Sequence, residues 1–372
     1  MTKHRALHML SVAATATGTV LLVPCGIVMF AGLLGATGLM PGWSPLDGAD
    51  YVPPLFLLLF ALPAAALLAA GGRKAVGAAL TVATTVYFIL LGDISLLSVG
   101  HRGMSRDAAA DELERFSVMA LNVRYYSYGV ARVTDCIGKA RPHVALLSEN
   151  VLSETQRDSL CRRLPEYSFI MGRQESTALL SRLPVTEWRE VELPSYQASL
   201  RGRNTIEAVE RRGVHRAFVH AVVDYRGTPV NVISIRFIAG RARDKTLAAR
   251  YAWGRYLLRI QKEEVAFFKQ YIAGLNGPVV FGGDLNATPS SRPVRTLSAI
   301  AQDAYLSRHL FGGFTFRTEL PTIRLDYIYH TAELSTVDAR ILPDEVSDHF
   351  PVYAELSLQP TATQFAGVVS GD

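Results

Sequence analysis

The sequence predicts two unlike parts: a membrane region of three apolar helices, then an α/β or α+β domain with layered sheets. Two observations predict them. Among 372 residues, the first hundred carry only Lys3, Arg5, Arg73 and Lys74 as bases and Asp47, Asp50 and Asp93 as acids. The other 34 of 38 bases and 30 of 33 acids lie beyond residue 100. From residue 116 onward, short apolar strand-like runs alternate with helix-like ones, the pattern of sheets interleaved with helices.

In the membrane region (residues 1–100), Met9–Met40 and Val52–Gly72 are uncharged, and Ala75–Gly100 has the single acid Asp93. A spanning helix needs about 20 mostly apolar residues, so these stretches predict three spans, at about 9–40, 52–72 and 75–100. The first is long and predicts a tilted or kinked helix, with Pro24 at the kink. Its alternative is a cleaved signal peptide, because Lys3 and Arg5 precede it, although such a signal has an apolar core of only about 7–15 residues. With three spans, Lys3–Arg5 and Arg73–Lys74 share one side, and positive flanks favour the cytoplasm. The domain beyond residue 100 is then expected outside the cytoplasm; His101, Arg102 and Arg106 weigh the other way. Asp93 is expected near a helix end, in the interface.

Residues 101–115 read as a linker. Strands are expected at Phe116–Asn122, Val144–Leu147, Ser168–Met171, Ala178–Ser181, Arg216–Asp224, Val230–Arg236, Val279–Gly282, Leu325–His330 and Val352–Leu358. Helices are expected at Val130–Ala140, at Ser153–Leu164 with Ser153 as N-cap and Gln156 three residues on, and at Lys245–Ile272. The domain closes near residue 359, and residues 360–372 form an aperiodic tail.

Several of these strands end in a polar side chain. Asn122 ends SVMALN, Glu149 follows PHVALLS, Arg236 follows VNVISI, and Asp284 and Asn286 follow PVVFGG. Asp326 lies in IRLDYIYH, and Asp348 and His349 in VSDHFPV. Strand ends from distant segments can converge on one cleft. Oxygen donors dominate, and these select hard cations such as magnesium or manganese, whereas zinc wants more His or Cys. Asn122 as a turn residue and Asp326 as a strand-edge acid are the plain structural alternatives. Glu149 and Asp284 have none as good, because a charge beside a buried strand needs a partner.

The segments LNV, PHVALLSE, LLSRLPV, GGDLNATP, FTFRTELPTIRLDYIY and SDHFPVYAEL, in this order from about Phe116 to Leu358, resemble the blocks of the endonuclease/exonuclease/phosphatase superfamily. Secreted deoxyribonucleases, abasic-site endonucleases, inositol-polyphosphate phosphatases and neutral sphingomyelinases belong to it. Together with the apolar helices, the resemblance implies a membrane-anchored, bacterial-type member. The fold it implies is a four-layered β-sandwich with flanking helices. The activity it implies is hydrolysis of a phosphate ester with Mg2+ or Mn2+. Glu149 would bind the metal, with Asn122 close by and Asp348 completing the acidic pocket. Asp284 would activate or orient the attacking water, and Asn286 would hold that water or a phosphoryl oxygen. His349 would contact the scissile phosphate, oriented by Asp326 as carboxylates orient catalytic imidazoles.

One block departs. The family commonly has a histidine where this chain has Arg236, which cannot shuttle a proton but binds phosphate through its planar fork. His220, on the preceding strand, reads as a half-buried core or surface residue. Arginines crowd Arg201–Arg259, either for a polyanion or anionic membrane surface or as a solvated helix face. The domain nets only +4, so a general nucleic-acid grip is not demanded. Cys136 and Cys161 match no metal spacing; outside the cytoplasm they could form a disulfide. The expected function is a membrane-tethered phosphodiesterase whose substrate is nucleic acid or a phospholipid headgroup. A phosphomonoesterase and a catalytically silent, membrane-tethered binding module are its rivals. The lipid bilayer is an expected partner, and no protein partner is expected.

Overall fold

The structure is a computed structural model that describes residues 3–37, 52, 54–91, 115–172, 176–194, 216–239, 246–319 and 323–359. The chain divides into two compact units: residues 1–94 with 287–295, and residues 95–286 with 296–372.

The first unit holds α1 (Lys3–Thr37), α2 (Pro54–Ala70) and α3 (Lys74–Leu91). Pro24 lies inside α1, and Pro63 inside α2. The turn after α2 leaves the carbonyl of Gly71 without a helical partner. The hydroxyls of Ser11 and Thr15 on α1 donate to it, at 3.1 and 3.0 Å. Gly77 lets α3 approach α2, because a Cβ there would sit 2.6 Å from the carbonyl oxygen of Ala65. Large apolar side chains remain outward, with Val20 71%, Phe30 67% and Leu59 65% exposed.

The three-span expectation is corrected here. Among the described residues, one helical stretch, Ala6–Leu34, is long and apolar enough to cross a membrane, and its place near the N-terminus suits a signal sequence equally. The helices α2 and α3 have 17 and 18 residues. At 1.5 Å per residue the described part of each is about 26 Å long, against a hydrocarbon core of about 30 Å. Asp93, the predicted end of the third span, the linker up to residue 114 and the tail from residue 360 lie outside the described residues.

The second unit is built on two mixed six-stranded sheets. Its strands are β1 (Phe116–Asn122), β2 (Val144–Ser148), β3 (Ser168–Met171), β4 (Thr177–Ser181), β5 (Val185–Glu192) and β6 (Ala217–Tyr225). They continue with β7 (Thr228–Ser234), β8 (Val279–Asp284), β9 (Gln302–Asp303), β10 (Asp326–His330), β11 (Leu334–Ile341) and β12 (Val352–Leu358). One sheet has the order β11-β12-β1-β2-β4-β3, the other β5-β6-β7-β8-β10-β9.

Strand alternation assigns each residue to a layer. On β1, Phe116, Val118 and Ala120 enter the core between the sheets, with Val219, Val232, Val280 and Ile328 of the other sheet. Met119 and Leu121 face the opposite way, onto α4 (Val130–Ala140) and α5 (Glu154–Arg163) through Val133, Ile137 and Leu160. The capping box predicted for α5 is present, with Ser153 and Gln156 bonded reciprocally. Behind the second sheet lies α6 (Leu247–Ala273), whose Phe268 meets Phe218, Phe237 and Phe281 edge-on at 5.2–6.0 Å between centroids. The order is therefore helices, sheet, sheet, helix, which bears out the layered fold.

Two further expectations resolve, one on the cysteines and one on His220. Cys136 is buried between α4 and its sheet while Cys161 is exposed on α5, so both are free thiols and the disulfide is not formed. His220 is a core residue, its ring nitrogens meeting the Tyr271 hydroxyl at 2.7 Å and Asn231 Oδ1 at 2.9 Å. It does not replace the family histidine.

Candidate active site

The two sheets meet at the C-terminal ends of β1, β2 and β8. The segment VVFGGD can reach this junction because its glycines have no Cβ. Gly283 sits at φ +135°, and a Cβ there would collide with the carbonyl oxygen of Ile235. The Asp284 N–H then donates to Ser148 Oγ on the other sheet at 3.1 Å. Asn122, at the end of β1, also crosses the junction, its Nδ2 donating to Asp284 Oδ2 at 2.9 Å.

Asp284 is 1% exposed and held by neutral donors. The Asn286 N–H reaches Oδ1 at 2.9 Å, and Asn286 Nδ2 reaches Oδ2 at 3.1 Å. Asn286 makes this return at φ 48°, a left-handed conformation that asparagine tolerates. Burial foremost pushes the Asp284 pKa up to about 6; His349 and Arg236 pull it down, while Asp326 and Glu149 add to the rise.

Asp326 stands directly opposite Asp284 in the antiparallel β8–β10 register. Its Oδ2 meets His349 Nδ1 at 2.7 Å, and both side chains are buried. Burial by itself would lower the His349 pKa. Asp326 outweighs it, with Asp284 and Asp348 adding, and the pKa stands at about 9. The ring is thus an imidazolium at neutral pH. Phe316 packs against it, centroids 4.8 Å apart.

Glu149 follows β2 at φ 54°, unusual for a glutamate. Its Oε1 accepts from Arg236 Nη2 at 2.5 Å, and Arg236 Nε lies 3.8 Å from Asp284 Oδ2. Arg236 therefore points into the site, with its side chain 11% exposed. Asp348 pairs with Arg124 Nη1 at 3.4 Å.

All eight predicted site residues are thus linked. Asp284, Asn286, Asn122, Asp326, His349, Glu149 and Arg236 form one network, and Asp348 adds its charge to His349. Sequence reasoning missed Ser148, Arg124 and Tyr125. The run Arg124–Tyr126 lies in left-handed backbone, which no glycine announces. The Tyr125 N–H donates to the Glu149 carbonyl at 2.9 Å. Burial and then Glu149 raise the Tyr125 pKa, with Asp284 and Arg236 also in range. Of the arginines between 201 and 259, Arg216 binds Glu264 at 2.5 Å. Arg201, Arg203, Arg211, Arg212, Arg241 and Arg243 lie outside the described residues.

A divalent cation fits this donor set. Asp284, Asp326 and His349 bring ligand atoms within 4.8 Å of one another; the two carboxylates are the donors, because an imidazolium has no free lone pair. Asp326 Oδ1 is buried without a hydrogen-bond partner, and an orphaned carboxylate oxygen is what a hard cation takes. The predicted metal residues are placed differently from that cluster: Glu149 is on Arg236, Asp348 on Arg124, and Asn122 on Asp284.

Many solved structures are similar to this chain, two of which serve as examples. An endonuclease/exonuclease/phosphatase from Bacteroides vulgatus aligns with TM-score 0.51 and 18% identity, over 66% of this chain and 99% of its own. A humanized D. rerio TDP2 aligns with TM-score 0.50 and 15% identity, again over 66% and 99%. At these identities they show the fold. No curated protein matches the sequence. The sequence profile of the Endonuclease/Exonuclease/phosphatase family matches residues 119–349, from within β1 to His349, more than half the chain. The chain belongs to that family of phosphoesterase hydrolases.

Proposed function

We propose that this protein is a membrane-tethered, divalent-metal-dependent phosphodiesterase whose catalytic domain works outside the cytoplasm. The observation that carries the chemistry is the buried Asp326–His349 pair at 2.7 Å, set beside Asp284. The resemblance gives magnesium or manganese to Glu149, with Asn122 and Asp348 nearby, which requires Glu149 to part from Arg236; the carboxylates that stand open to a cation are Asp284 and Asp326. A bound divalent cation supplies Lewis-acid polarisation of a phosphoryl oxygen.

The remaining work falls to the chain itself. Asp284, ionised above about pH 6, orients the attacking water and accepts its proton. Asn122 and Asn286 fix that carboxylate, and Asn286 Oδ1 is available to the water. His349, charged by Asp326, faces the phosphate with its second N–H and offsets charge developing on the phosphoryl oxygens. Arg236 offers a permanent charge to the non-bridging oxygens.

Nucleic acid and phospholipid headgroups both present the diester. A tether favours substrates near the membrane, and the outward apolar side chains of α1 to α3 support the tether. The purified full chain, with Mg2+ or Mn2+, is assayed on a chromogenic diester, a monoester, plasmid DNA and phospholipid vesicles. Chelator-sensitive cleavage of the diester and one polymeric or lipid substrate is expected. Turnover of the monoester alone makes it a phosphomonoesterase, and no turnover with bound metal makes it a silent binding module. A reporter active only outside the cytoplasm, fused after residue 359, is expected to be active; silence there overturns the location.

A further inference from the structure

The Glu149 side chain that the proposed function gives to a metal is already paired. Arg236 Nη2 lies 2.5 Å from Glu149 Oε1, and Arg236 Nε lies 3.8 Å from Asp284 Oδ2. The guanidinium thus bridges the proposed metal ligand and the residue that orients the nucleophile. Burial opposes its charge, but Glu149 and Asp284 outweigh burial and raise its pKa. Its Nε is buried without a hydrogen-bond partner. That donor is satisfied neither by the chain nor by its 3.8 Å neighbour, which is too distant for a hydrogen bond.

The backbone beneath is held by other residues, while the side chain is held by Glu149. Arg236 O accepts from Arg216 Nη2 at 3.1 Å, and Arg216 is itself held by Glu264. The Ile238 N–H donates to Glu264 Oε2 at 2.8 Å. Any adjustment at this position therefore falls to the long side chain. A divalent ion on Glu149 would face a guanidinium that cannot relieve repulsion by losing its proton, because arginine stays charged at all working pH values. The guanidinium on Oε1 and a cation on Glu149 therefore compete for one carboxylate.

We infer that Arg236 is a resident counter-cation of Glu149: a divalent metal must displace it, and a phosphate group then receives the displaced guanidinium. The inference rests on the metal-dependent reading above and adds a consequence that reading lacks. Metal and phosphate bind synergistically through one movable side chain, because each takes a different partner of the same ion pair. By linkage the effect is reciprocal, metal tightening phosphate as much as phosphate tightens metal. Empty of phosphate, the site holds metal weakly; the substrate's own charge recruits it.

The test is Mn2+ binding to the purified full chain in detergent, followed by electron paramagnetic resonance with and without inorganic phosphate. Without phosphate, Arg236→Gln is expected to bind Mn2+ about tenfold more tightly than the parent. Phosphate is expected to tighten Mn2+ in the parent, and to do so several-fold less in the variant. Glu149→Gln removes the site in either background. Equal or weaker Mn2+ binding by folded Arg236→Gln overturns the inference and leaves metal dependence standing. Absence of Mn2+ binding from parent and variant alike overturns both. Should Arg236→Gln not fold, the Arg236 Nε–H resonance of 15N-arginine-labelled parent protein decides. It should move on Mg2+ addition, and a stationary signal under saturating Mg2+ overturns the inference.

Discussion

The pairs Asp326–His349 and Glu149–Arg236 both contact Asp284 electrostatically, yet they are built in opposite ways. Asp326 lies within β10, directly opposite Asp284 in the antiparallel register, and is buried together with its histidine. Glu149 and Arg236 lie beyond the ends of β2 and β7, with side chains 16% and 11% exposed. The first cation can release a proton, and the second cannot. A pair fixed by strand register suits orientation and constant charge. A pair on the residues after a strand can part when another charge arrives.

The largest effect that would break this comparison comes from the group between the pairs. Asp284→Asn is expected to lower diester hydrolysis about 10³-fold or more, with native circular dichroism. Full activity in that variant would dismiss the site. Removing the fixed pair's carboxylate, Asp326→Ala, should reduce kcat about 10²-fold, because the imidazole loses both its charge partner and its orientation. An unchanged kcat would make Asp326 a strand-edge acid and nothing more. The open pair responds less. Arg236→Lys keeps the charge and loses the fork, so kcat/KM is expected to fall about tenfold; parity with the parent would show that the fork is not used.

The smallest effect concerns His143, a control for what a carboxylate does to His349. Its Nδ1 meets Ser117 Oγ at 2.7 Å. Burial chiefly, then Arg182 and Arg226, lowers its pKa to about 4, with Glu355 only weakly opposing. A histidine whose folded pKa is depressed contributes stability that is complete above about pH 6.5 and lost as pH falls toward about 4. Thermal midpoints should therefore drop across that window. His143→Asn should flatten the drop, and an unaltered pH dependence would refute it.

The site was legible where an apolar run ends in a group that a buried strand cannot carry unpaired. That logic singled out Glu149 and Asp284, while Asn122 and Asp326 took their roles from the family resemblance. It could not see Ser148, an ordinary strand residue in sequence whose hydroxyl happens to meet the Asp284 N–H. Nor could it see Arg124 and Tyr125, whose left-handed backbone is imposed by tertiary contacts. Strand β5 was overlooked because VTEWREVE is an exposed edge with charges on both faces. Strand β11 escaped because a bulge between Thr336 and Asp338 breaks its alternation. In the helical unit, composition gave the apolar stretches but not their length as helices, which Gly71 and Gly72 cut short after α2.

The ladder that sets Asp284 opposite Asp326 has a cost outside catalysis. Like charges directly across a sheet oppose folding, and Asp284 is ionised there at neutral pH against its burial. The chain therefore sacrifices robustness for reactivity at one rung of one sheet. Metal-free Asp284→Asn protein should melt at a higher temperature than the parent at pH 8, as expected when a working site is itself a source of instability. A descendant that abandoned its reaction would be free to drift toward that sturdier form, so an inactive copy of this fold ought to outlast an active one in heat.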